Sequence, residues 1–145
     1  MTDFHLPAGT LVYHGTDRSN ADEVSVLGRH AFWLAATLEL AQTQALRNRS
    51  GSPRVFVYRL THDLVLPSVS TPADVEALLK KYELRVTEDE LLQASAIAAN
   101  LPGWAYPNAN PLGAFIKLFD TRMLEYVETI TVDRKTILGS ADSVA

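Results

Sequence analysis

Strand-forming segments lie at both ends of this 145-residue chain, and the helix signals fall between them. Leu11-Val12-Tyr13 is a short β-prone run, and Ala31-Phe32-Trp33-Leu34-Ala35 is a second. Residues 54–60 alternate and give the clearest strand. Residues 64–66 add a short strand before Pro67, and residues 124–132 form the last one. A short helix is expected over 17–28, ending at Gly28. Thr37 can cap a helix built from Leu38, Glu39, Leu40 and the strong helix formers after them. Residues 48–53 read as a loop. Thr71-Pro72-Ala73-Asp74 opens another helix, with a capping hydroxyl, a proline in the first turn and an acid after it. Thr87-Glu88-Asp89-Glu90 is a capping box. Residues 102–113 hold Trp104, Tyr106, three prolines and two glycines, and read as an ordered loop or lid. Residues 112–119 suit a helix or a strand equally. This order lacks the regular alternation of a doubly wound sheet, so the fold class is α+β.

Composition narrows the function. With 47% hydrophobic and 21% charged residues, the chain suits one domain over 1–145. No stretch approaches the roughly 20 apolar residues that cross a bilayer. The start, Met1-Thr2-Asp3-Phe4-His5, has no basic region before an apolar one, so no secretory signal is expected. Cysteine is absent, which excludes disulfides, thiolate metal sites and a cysteine nucleophile. A cytoplasmic location and no membrane partner are expected. The net charge of −4 disfavours general binding to nucleic acid. His5, His14, His30 and His62 show no metal-ligand spacing, so no metal is expected. Gly-x-Ser-x-Gly, the phosphate-binding Gly-x-x-x-x-Gly-Lys loop and the dinucleotide Gly-x-Gly-x-x-Gly are all missing.

What remains is Tyr13-His14-Gly15-Thr16. A strand ending this way puts an imidazole, an unobstructed backbone and a hydroxyl at one point. Glycine there lets a planar polar ligand lie against the main chain.

Three segments share a second pattern: Tyr13-His14-Gly15-Thr16, Phe32-Trp33-Leu34-Ala35 and Leu124-Glu125-Tyr126-Val127. In this order they resemble the histidine–tyrosine–glutamate branch of the ADP-ribosyltransferase superfamily. The resemblance implies two small, mainly antiparallel sheets that form an NAD cleft, flanked by helices. It implies NAD as substrate, cleaved at the nicotinamide–ribose bond, with ADP-ribose passed to a macromolecular acceptor. Hydrolysis of NAD, or a binding module that has lost catalysis, are the alternatives.

The same resemblance assigns residues. His14 would hold a ribose hydroxyl and act in catalysis, and Gly15 would offer backbone groups to the nicotinamide amide. Thr16 would support either contact. Trp33 would stack on the nicotinamide, with Phe32 beside it. The second stacking tyrosine of the family falls on Gln44, a departure that leaves that side to Tyr106, Trp104 or Tyr58. Glu125 would hold the 2′-hydroxyl and stabilise the oxocarbenium cation, with Glu128 as its competitor. Met123 stands where arginine-modifying branches carry a further glutamate. Strand parity puts Leu124, Tyr126, Glu128, Ile130 and Val132 on the core side. His14, Trp33 and Glu125 are expected to line one cleft. A toxin, a phage-type modifier or one half of a toxin–antitoxin pair is the implied setting, with an antitoxin or effector as partner.

Overall fold

The computed structural model describes residues 3–17, 32–47, 51–83 and 100–133. The helix expected after Asp17, the one opened by Thr87 and the tail after Gly139 lie outside these residues. The described elements run β1 (Asp3–Leu6), β2 (Leu11–Thr16), β3 (Phe32–Ala35), α1 (Leu38–Ala45), β4 (Arg54–Leu60), β5 (Leu64–Pro67), α2 (Pro72–Lys81), β6 (Gly103–Asn110), β7 (Gly113–Leu118) and β8 (Leu124–Thr131). The α+β class holds. Two antiparallel sheets form, of very unequal size: a six-stranded sheet in the order β6-β7-β3-β2-β4-β8, and a two-stranded sheet of β1 and β5.

The alternation of β4 builds both cores. Phe56, Tyr58 and Leu60 point to one face, where they pack with Val12, Phe32, Leu34, Ile116, Leu118 and Leu124. Leu6, Leu64 and Leu66 of the small sheet close that face. Val55 and Val57 point to the other face, where Ala35 and the buried Leu40, Ala41 and Ala45 of α1 meet them. These are the small-sheet face and the helix face below. A fully buried Leu or Phe contributes about 2 kcal/mol.

Helix α1 lies unusually close to β2, and Gly15 is the reason. A Cβ on Gly15 would stand 1.9 Å from the Ala41 carbonyl oxygen and 2.9 Å from the Ala45 nitrogen. The glycine therefore serves helix-on-sheet contact; the space at its α-carbon on the helix face belongs to α1, not to a ligand. Thr37 holds the start of this helix. Its Oγ1 accepts from the Leu40 N–H at 3.3 Å and donates to the Leu112 carbonyl at 2.8 Å, tying α1 to the β6–β7 turn.

Two expectations are corrected. Residues 102–113 are not a lid: they supply β6 and its turn into β7, and residues 113–118 settle as strand. β6 is the last strand of the large sheet, paired with β7 and met on its outer side at Ala105 by the Val69 N–H at 2.8 Å, and proline is tolerated at such an edge. Its register breaks between Tyr106 and Asn110, around Pro107. The parity of β8 also fails. Tyr58 pairs with Tyr126 while Val57 pairs with Glu128, so Val127 is one residue extra. The bulge reverses the alternation beyond it. Tyr126 and Thr129 share the small-sheet face, their hydroxyls 2.6 Å apart, while Val127, Ile130 and Val132 turn to the helix face.

Helix α2 begins as its sequence promises. Thr71 Oγ1 accepts from the Asp74 N–H at 3.3 Å, and Asp74 Oδ2 accepts from the Ser70 and Thr71 amides at 2.8 and 3.0 Å. The Ser70 amide is the main cause holding the Asp74 carboxyl below its ordinary value. A carboxyl lowered on folding stabilises the fold above the unfolded value, near pH 4, and loses that contribution as pH falls through the lower folded value. Thr71→Ala is expected to cost about 1 kcal/mol in urea denaturation at neutral pH. Asp74→Asn is expected to flatten the acid limb of the stability curve.

Candidate functional site

Backbone phase shows where the large sheet is incomplete. The Leu60 N–H donates to the Thr10 carbonyl at 2.9 Å, the Thr61 N–H to Met123 at 2.9 Å, and the Ala36 N–H to Ala114 at 2.9 Å. Since main-chain groups alternate sides along a strand, Val12, His14 and Thr16 direct theirs at β4. Leu11, Tyr13 and Gly15 direct theirs at β3. On β3, Trp33 and Ala35 face β2. Yet β2 and β3 share one register pair, Tyr13 with Ala35. Beyond it the strands part. Gly15 and Trp33 thus aim main-chain groups at one another across a fork.

His14 guards the fork. Its Nδ1 lies 2.7 Å from the Trp33 carbonyl oxygen. A carbonyl only accepts, so Nδ1 carries the proton and, in the neutral ring, Nε2 is the acceptor. The imidazole stacks on Phe32, centroids 4.6 Å apart at 29°, and lies near-parallel to Phe56 at 6.4 Å and 12°. Two buried rings thereby fix its plane.

Trp33 meets the fork from the helix face. It is 45% exposed and stacks on Tyr106 with centroids 5.5 Å apart at 26°. Phe115 meets it edge-on at 6.2 Å. Tyr106 and Phe115 come from the β6 and β7 side. Gln44 lies half-buried on α1 beside this region.

The remaining assigned residues are dispersed. Phe32, 1% exposed, is core beneath His14, because its neighbour Trp33 takes the opposite face. Tyr58 is fully buried between Phe32 and Tyr126, with centroids at 5.7 and 6.2 Å, and cannot reach a ligand. Thr16 is buried on the small-sheet face, opposite Arg54. Trp104 is also buried and donates from Nε1 to the Tyr106 hydroxyl at 2.7 Å.

Glu125 does not join His14. It pairs in register with Arg59, and its carboxylate lies 3.7 Å from that guanidinium on the helix face. His14 is on the small-sheet face, in register with Phe56. Gly15 and Glu125 stand two strands and four residues apart, roughly 17 Å between α-carbons. The expected single cleft with His14, Trp33 and Glu125 is not formed. Glu128, opposite Val57, also lies on the helix face. Among the described residues no carboxylate cluster suits a metal ion, and no helix is long and apolar enough to cross a membrane.

Sequence reasoning missed Lys117. It stands opposite Trp33 on β7, its Nζ 5.2 Å from that ring and 5.7 Å from the Trp104 ring. Only strand pairing brings it there.

No family model and no curated protein matches this sequence. The fold does have a counterpart among solved structures. A chain in the crystal structure of the M. tuberculosis MbcT–MbcA toxin–antitoxin complex is 14% identical to this one, with a TM-score of 0.57. The match covers 93% of this chain and 90% of that one, so the likeness extends over the whole fold.

Proposed function

We propose that this chain is a toxin-type enzyme that binds NAD at the β2–β3 fork and cleaves the nicotinamide–ribose bond, passing ADP-ribose to a macromolecular acceptor. The fork is the observation that carries this reading. Gly15 directs an N–H and a C=O into it, the complementary pair for a planar carboxamide. Trp33 offers an indole face for the nicotinamide ring. His14 Nε2 provides an acceptor for a ribose hydroxyl. The fold shared with a chain of a toxin–antitoxin complex supports the toxin setting and an antitoxin as partner.

In this reading the C1′–N bond breaks and its electron pair goes to the nicotinamide nitrogen. The ribose is left as an oxocarbenium cation. The acceptor nucleophile bonds C1′ and releases a proton. Water as acceptor would make the same chain an NAD glycohydrolase. The place of Glu125 removes it from the ribose, so the reading assigns it no contact with substrate.

One observation favours a second reading, a binding module without turnover: the Glu125 carboxylate pairs with Arg59 and does not join His14. Nicotinamide release from NAD by the purified chain separates the two. Release is expected. Binding of NAD with no release, in the presence of cell lysate as acceptor source, would favour the module.

A further inference from the structure

Lys117 is held where a charge would act on a ligand through Trp33. Trp33 and Lys117 are directly opposed on β3 and β7, and the ammonium sits between the Trp33 and Trp104 rings. Tyr106 stacks on Trp33 as well. Among the described residues no carboxylate pairs with Lys117. The ring offered to nicotinamide therefore already has an ammonium 5.2 Å from its centroid.

We infer that Lys117 is a positioning residue that makes the fork prefer neutral nicotinamide to its N-alkylated pyridinium form. The inference rests on the fork being the nicotinamide site. In NAD the ring is a pyridinium cation; once the bond to C1′ has broken, the departing nicotinamide is neutral. A fixed ammonium beside the indole opposes the first state and leaves the second untouched. An indole face that would ordinarily attract a cation is thereby turned toward the uncharged leaving group. The charge assistance to bond breaking comes from the leaving-group side.

At the effective dielectric of a partly exposed site, a unit charge at this range is worth about fivefold in affinity. The test is ligand-observed NMR titration of the full chain with nicotinamide and with 1-methylnicotinamide, its permanently charged analogue. The wild type is expected to bind nicotinamide more tightly. Lys117→Met is expected to tighten the methylated cation by about fivefold and leave nicotinamide unchanged, whereas Lys117→Arg keeps the wild-type ratio. In the wild type, raising salt is expected to narrow the ratio, an arm that needs no variant to fold. An unchanged ratio in Lys117→Met, or in the wild type across salt, overturns the role of Lys117 while the fork stands. Failure of the wild type to bind either ligand overturns the fork as nicotinamide site, and this inference with it.

Discussion

His14→Asn is expected to keep the fold and lose nicotinamide release by about a hundredfold. The asparagine amide can place an N–H close to where His14 Nδ1 now donates to the Trp33 carbonyl at 2.7 Å. The two strands stay tied, but no acceptor remains at the position of Nε2. Glu125→Gln, measured beside it, is expected to leave release near the wild-type rate. Its partner is Arg59, in an ion pair with 47% and 57% of the two side chains exposed. Such pairs contribute well under about 1 kcal/mol to stability, so that variant should also melt almost as the wild type does. A loss of several powers of ten on Glu125→Gln would mean that Glu125 does reach the ribose, and that β8 does not sit beside β4 as described.

Gly15→Ala is the largest expected effect on stability. The new methyl would fall 1.9 Å from the Ala41 carbonyl oxygen and 2.8 Å from its carbonyl carbon. Both are backbone atoms of a helix fixed by Leu40, Ala41 and Ala45, so neither side chain nor rotamer can yield. Overpacking costs about 1–3 kcal/mol where side chains can move. Here α1 itself must shift, so about 3 kcal/mol or more is expected by chemical denaturation. A cost below about 1 kcal/mol would show that α1 does not rest on Gly15.

Local chemistry was legible in the sequence. Thr37 and Thr71 announce their helices because capping depends on residues within one turn. The strand at residues 54–60 shows its alternation outright. β6 was hidden: Gly103 and Pro107, with the prolines and glycine that flank the strand, read as a loop, and Pro107 is tolerated at the sheet edge. Non-local pairing hid the rest. Phe32 and Trp33 are adjacent aromatic residues, and nothing local decides which one faces the core. Register with β7 decides it. Val127 inserts one residue into β8 and turns the residues beyond it about, which no pattern of apolar residues announced. Tyr58, an apparent ligand contact, belongs to the buried face of the very strand that was most legible. The glycine at residue 15 stood out, but for the wrong neighbour, since α1 rather than a ligand fills the space at its α-carbon.

The most direct measurement is an amide NMR titration of the ¹⁵N-labelled chain with NAD. The Gly15 amide and the Trp33 indole N–H are expected to shift together and saturate at one Kd, with the Glu125 and Arg59 amides still. Shifts gathered around Glu125 and Arg59 with Gly15 unmoved would contradict the fork as the nicotinamide site, as would a spectrum that NAD leaves unchanged.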